Sequence, residues 1–335
     1  MTFVRKSLQK AGFWNVTVKK FLILPGILLL PLGGAAAQDM TDQHMNHTSV
    51  VTDSVEIQDW ARQRLTKSPR HQEWVKVKNG NREVNSFIVY PEVKTKATAV
   101  LVIHEIFGMS DWVQSLTDQL AEAGYIAIAP DLLSGMGPKG GGTSELAAVS
   151  SNAVGQAIRD LPADQITADL NAVADYVAKL PAANGKVVVT GYCWGGTQSF
   201  RFATNRPTLK AAFVFYGSAP ANGQAIDKEA LAKVQAPVYG FYAGNDMRIN
   251  ATVPPTIDAM KELKKTFDPV TYEGAGHGFM RAGEAPEPTP PMEKGEKDGD
   301  DKAAADYQKA LVAYKANKKA RDEAWTRWKT ILSKL

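Results

Sequence analysis

Three residues carry the chemistry that this sequence advertises: Cys193, His277 and Asp246. Cys193 is the only cysteine and sits in Gly191-Tyr192-Cys193-Trp194-Gly195-Gly196, after the apolar run 186–190 and before helical residues from Thr197. Gly-x-nucleophile-x-Gly between strand and helix lets the nucleophile stand exposed on a tight, strained turn. The thiolate is the reactive form of such a residue, and the amino end of the following helix favours it electrostatically. The plainer description is a buried thiol packing as a small apolar side chain, as most free cysteines do. The flanking glycines, the strand-end position and the oxidation risk of a lone thiol in an oxidising compartment weigh towards chemistry. One cysteine forms no intramolecular disulfide and no multi-cysteine metal site.

A thiol nucleophile needs a base. Of the five histidines, His44, His47, His71, His104 and His277, only the last follows Cys193. It lies in Gly274-Ala275-Gly276-His277-Gly278-Phe279, a glycine-rich loop after the final expected strand, although a surface loop histidine would look the same. Asp246, in Ala243-Gly244-Asn245-Asp246, stands where it can orient an imidazole and stabilise its charged form. Asp258 and Asp268 are alternatives, the first inside an expected helix and the second ahead of an expected strand.

These residues need a scaffold. Segments 73–78 and 83–90 alternate as strands about the turn Asn79-Gly80-Asn81, which predicts a hairpin. Residues 98–103 form a continuous apolar run, as a strand buried on both faces requires. A helix is expected from Ser110-Asp111 to Gly124, then a strand over 125–129, helical material over 144–180, and a strand over 186–190. Strands at 211–216, 238–242 and 270–272 and a helix over 254–266 continue the alternation. The pattern predicts an α/β fold with a mostly parallel central sheet and helices on both faces, whose sites lie at the carboxyl ends of the strands. The glycine-rich stretch 135–142 reads as a flexible loop, because Lys139 is followed by Gly140 and not by the Ser or Thr of a phosphate-cradling loop. A charged, proline-rich insert at 284–301 precedes a terminal helix, whose Tyr307, Leu311, Tyr314, Trp325, Trp328 and Leu332 form a stripe suited to docking on the domain.

Composition narrows the function. The 335 residues are 44% hydrophobic and 22% charged, as a globular chain is. The net charge of +4 hints at an acidic partner, yet five of the 39 basic residues fall in the first 37, which hold no acid. Without them 34 basic residues face 35 acidic ones, so no general basic field argues for nucleic acid. Residues 1–37 run from basic to apolar to small, ending Ala35-Ala36-Ala37, the layout of a signal peptide for export to a periplasm or beyond. The apolar part, 21–32, is too short and proline-broken for a spanning helix, so no stable membrane insertion is expected after cleavage. Residues 38–68 read as a mobile polar leader. Its Asp39, Met40, His44, Met45 and His47 suit a soft metal site or simply a solvated tail with chance histidines.

Several motifs together resemble the dienelactone hydrolases (carboxymethylenebutenolidases) of the α/β-hydrolase superfamily. They are His104-Glu105-Ile106-Phe107-Gly108, Pro130-Asp131-Leu132, Gly191 to Gly196, Gly244-Asn245-Asp246 and Gly276-His277-Gly278-Phe279-Met280-Arg281. The resemblance implies a Cys193, Asp246, His277 triad, and a Glu105 that contacts the resting thiol and helps deprotonate it when substrate arrives. It also implies an oxyanion hole from the backbone N–H groups of Ile106 and Trp194. It implies that Arg281 binds a substrate carboxylate, while the family's second arginine position falls on Ser151, with Arg159 near but out of register. The expected protein is a monomeric cysteine hydrolase of small esters or lactones that needs no metal or organic cofactor. The competing readings are a non-catalytic binding protein on the same fold, or a metal-handling module using the 38–68 leader.

Overall fold

A computed structural model describes residues 58–150, 152–291 and 299–335. The expected export segment 1–37, the histidines and methionines of the expected leader, and Ser151 lie outside the described residues.

The first described element corrects the reading of 38–68 as mobile throughout. Helix α1 (Asp59–Thr66) packs on α2 (Asp111–Glu122). Ala61 is fully buried, the Trp112 N–H donates to Gln58 Oε1 at 2.8 Å, and Arg62 meets the Asp111 carboxylate at 2.8 Å. Only Trp60, Ala61 and Leu65 turn inward, too few to write a helical period. A helix of eight residues takes its stability from such tertiary contacts and not from its own sequence.

The hairpin forms as expected. Strands β1 (Gln72–Asn79) and β2 (Arg82–Val89) pair antiparallel with Asn79 opposite Arg82, leaving Gly80 and Asn81 as a two-residue turn. Gly80 has φ +59°, the positive angle that such a turn needs. The chain continues through β3 (Ala97–Ile103), β4 (Ile126–Pro130), β5 (Ala183–Tyr192) and β6 (Ala212–Phe215). A small separate hairpin, β7 (Ala221–Asn222) and β8 (Ala225–Ile226), precedes β9 (Val238–Ala243) and β10 (Phe267–Tyr272). The main sheet has the order β1-β2-β4-β3-β5-β6-β9-β10, and all strands from β4 onward in that order are parallel. The chain leaves β3 for β4 on one side and returns to β5 on the other, so the sheet reverses its winding between β3 and β5. Crevices for ligands open at the carboxyl ends of strands at such a point.

Period-two alternation divides the core. Ala99, Leu101 and Ile103 face α5 (Ala163–Ala178) and α6 (Trp194–Asn205), through Leu170, Val173 and Phe200 among others. Val100 and Val102 face the other way, towards Trp112, Leu116, Leu120 and Trp328. The long helical stretch expected at 144–180 is three helices: α3 (Thr143–Val149), α4 (Ala153–Arg159) and α5, the last starting directly after Pro162. The remaining helices are α7 (Lys228–Ala232), α8 (Met247–Asn250), α9 (Val253–Glu262), α10 (Phe279–Ala282) and α11 (Gly299–Leu332).

Helix α11 docks on the sheet by its carboxyl-terminal part. Trp328 and Leu332 are buried with Ala320 and Ala324, whereas Tyr307, Leu311 and Tyr314 are only half-buried. The expected stripe is thus a docking surface at one end only. The insert 284–301 is also revised, because α11 already begins at Gly299 and Glu284 is a buried anchor. The Glu284 carboxylate accepts from Arg321 of α11 and, at 3.1 Å, from Gln119 of α2. Among the described residues no helix is long and apolar enough to cross a membrane.

Candidate active site

Cys193 ends β5 and caps α6, with φ 56° and ψ −120°. A non-glycine residue there carries strain of order 1–3 kcal/mol, sustained by its surroundings. The Cys193 N–H donates to Phe215 O at 3.1 Å, and its own carbonyl accepts from the N–H groups of Gly196 and Thr197. The glycines permit the close approach on which this turn depends. A Cβ on Gly191 would fall 1.9 Å from Gly195 O, and one on Gly195 would fall 2.3 Å from His104 O. Any side chain here would push α6 off β3 and β5.

His277 and Asp246 arrive from neighbouring loops. Asp246 caps α8, its Oδ1 accepting from the Ile249 N–H at 3.3 Å, while Oδ2 meets His277 Nδ1 at 2.5 Å. The two loops are tied by Asn245, whose N–H donates to Ala275 O at 2.9 Å and whose side-chain amide donates to Gly274 O at 2.9 Å. Asn317 of α11 supports the same loop, its Oδ1 accepting from the Gly276 N–H at 2.8 Å. Cys193 acts on the same imidazole and helps to raise its pKa. The structure therefore joins His277 to Asp246 with Cys193 acting on the same ring, and leaves Asp258 in α9 and Asp268 in β10 apart.

The charge distribution follows from these contacts. Burial alone would strip the proton from His277, but its hydrogen bonds to Asp246 and Cys193 and their negative charge outweigh that and push it up to about 10 from 6.5. Burial disfavours the Asp246 carboxylate too, yet the His277 contact and the Ile249 N–H hold it below its usual range. A histidine whose folded-state pKa is raised takes up a proton on folding. Its contribution to stability is complete below about pH 6.5 and fades as pH rises towards 10. The urea midpoint of the wild type should therefore fall more between pH 6.5 and 10 than that of His277→Gln. Equal falls in the two proteins would contradict a protonated His277.

Glu105 follows β3 and is buried. Its hydrogen bonds run to Arg281, whose Nε donates to Oε2 at 2.8 Å, and to the Tyr216 hydroxyl, which donates to Oε1 at 3.4 Å. Arg281 is itself buried, with its guanidinium also over the Phe107 ring at 5.1 Å. Ile106 follows Glu105 after β3, and Trp194 directly follows Cys193. The Trp194 N–H is the first of α6, where N–H groups lack partners within the helix. Arg159 curls back along α4, such that a Cβ on Gly155 would lie 3.7 Å from its Nη2 and 3.8 Å from Ile106 Cγ1.

Tyr216 was not foreseen from sequence. It is fully buried with φ 40°, stands edge-on to His277 at 5.0 Å, and reaches Glu105. A surface hollow of about 590 Å³ beside Lys76, Arg82 and Ser134 contains none of these residues.

Comparison with known proteins places the fold in a family. The model of the dienelactone hydrolase family matches residues 84–335. A Methylorubrum extorquens protein named "Putative carboxymethylenebutenolidase" is 32% identical over 189 residues, 54% of this chain and 62% of that one, less than two thirds of the relative's length. A Yersinia pestis protein of the same name is 29% identical over 203 residues, 59% of this chain and 74% of that one. Among solved structures, a dienelactone hydrolase-like promiscuous phosphotriesterase from metagenomic libraries superposes with a TM-score of 0.59 at 19% identity, covering 79% of this chain and 98% of that one, and so shares the fold. With a family match over most of its length and this α/β-hydrolase sheet beneath it, the chain belongs to the dienelactone hydrolase family.

Proposed function

We propose that this protein is an exported cysteine hydrolase of small esters or lactones. The observation that carries the reading is the His277 imidazole held by Asp246 and influenced by Cys193, with the thiol at positive φ on a strand-to-helix turn. A thiol beside an imidazole that a carboxylate orients is the arrangement from which a cysteine nucleophile is activated.

In the proposed reaction the Cys193 sulfur attacks the carbonyl carbon and the carbonyl oxygen becomes an oxyanion, accepting from the N–H groups of Ile106 and Trp194. Collapse expels the alkoxide, which takes its proton from His277, and leaves a thioester on Cys193. His277, oriented by Asp246, then draws a proton from water, whose oxygen attacks the thioester. Hydrolysis releases the acid and returns the proton to the Cys193–His277 pair. No metal or cofactor enters these steps. The basic-to-apolar order of residues 1–37 supports export.

Arg281 gives the site a preference. A substrate carboxylate that reaches its guanidinium competes with Glu105 for the same fork of donors. Glu105 would then be released beside the thiol, where a carboxylate can take the thiol's proton. A panel of esters and lactones with and without a carboxylate, assayed on wild type and Arg281→Ala, tests this. Activity on the carboxylate-bearing members should fall about tenfold to a hundredfold further than on the neutral ones. Equal losses on both would remove the carboxylate role.

A further inference from the structure

We propose that His104 is a positioning residue that sets both N–H donors of the oxyanion hole. The inference rests on the reading of Ile106 and Trp194 as those donors. His104 has no exposed surface and plays no part in the proton transfers described above.

The argument begins with one peptide group. The Glu105 carbonyl and the Ile106 N–H belong to the same planar trans peptide and point in opposite directions. Fixing the carbonyl therefore aims the N–H. Two donors converge on the Glu105 oxygen: His104 Nδ1 at 2.9 Å and the Gly108 N–H at 3.1 Å. Hydrogen bonds accepted at the oxygen also polarise the peptide, which strengthens its N–H as a donor.

The same ring packs against the residue that carries the other donor. The His104 imidazole lies stacked against the Trp194 indole, with centroids 5.5 Å apart and planes 16° from parallel. Trp194 follows the nucleophile, so this stack holds the start of α6 against the end of β3. The carbonyl of His104 closes the contact from the backbone side, since it lies where a Gly195 side chain would begin.

The tautomer is set by the acceptor. A carbonyl oxygen only accepts, so Nδ1 carries the hydrogen, and in the neutral ring Nε2 carries a bare lone pair. Nε2 is buried without a partner. Burial keeps the ring neutral, against the pull of the Asp131 charge. An unpaired buried nitrogen is a cost that an apolar side chain would avoid. Its retention fits a ring kept for what Nδ1–H and the stacked face do.

The test separates this role from folding and from the nucleophile. His104→Phe keeps a stacking ring but removes the donor, while His104→Asn places an amide N–H near the Nδ1 position. With p-nitrophenyl acetate as probe, kcat of His104→Phe should fall about tenfold to a hundredfold with little change in KM. His104→Asn should recover most of that loss. Alkylation of Cys193 by iodoacetamide forms no oxyanion, and should proceed at the wild-type rate in both variants. Should His104→Phe not fold, His104→Met carries the same expectation. Wild-type kcat in His104→Phe, or a parallel loss of alkylation and hydrolysis, would overturn the positioning role. Full hydrolysis by Cys193→Ala would instead bring down the underlying reading of the site.

Discussion

Cys193→Ala lowers turnover of an activated ester by on the order of 10⁴-fold and leaves thermal stability close to that of the wild type. The expected separation of the two effects follows from the local backbone. Alanine and cysteine both carry a Cβ, so the strain at φ 56° is the same in each, and the change removes one half-buried sulfur. Cys193→Gly makes the complementary case. It is equally inactive yet melts higher, because glycine adopts this backbone without strain. Activity in Cys193→Ala above about a tenth of the wild type would mean that the thiol is not the nucleophile.

Gly191→Ala has the largest expected effect on the fold. Its new methyl group would stand 1.9 Å from the Gly195 oxygen and 2.4 Å from the Gly195 carbon, both backbone atoms that cannot rotate away. Relief requires α6 to shift along β5, and α6 is itself held between the carbonyls of Ile103, His104 and Phe215. The cost is roughly 3 kcal/mol or more, the upper end for overpacking. That corresponds to a fall of about 10 °C in the thermal midpoint. Activity should fall with it, because the turn that presents Cys193 is the part displaced. A Gly191→Ala protein with wild-type stability and turnover would show that the close approach at the elbow is not needed.

Much of this architecture was legible because it is local. The apolar run of β3, the Ser110 cap of α2 and the Asn79–Asn81 turn each act through residues within a few positions of one another. The glycines about Cys193 were legible for the same reason, since backbone crowding at a tight turn leaves no room for a side chain. Three features were not legible, each because its cause lies far along the chain. Helix α1 is stable only against α2, and its three inward residues write no period. Tyr216 reaches Glu105 across 111 positions, and Arg281 reaches it across 176. Such pairings are made by the sheet order, which brings the ends of β3, β5 and β6 together, and a sequence window contains no trace of them. The break-up of the expected 144–180 helix and the early start of α11 are boundary effects within correctly typed segments.

The central claim is a covalent one, so it is tested most directly by looking for the bond. Wild-type protein mixed with an activated ester, quenched in acid within one turnover and analysed by intact and peptide mass spectrometry, should carry one added acyl group on the peptide containing Cys193. The adduct should vanish as turnover proceeds, and Cys193→Ala should show none. Turnover without acylation of Cys193, or acylation mapped to another residue, would contradict the account.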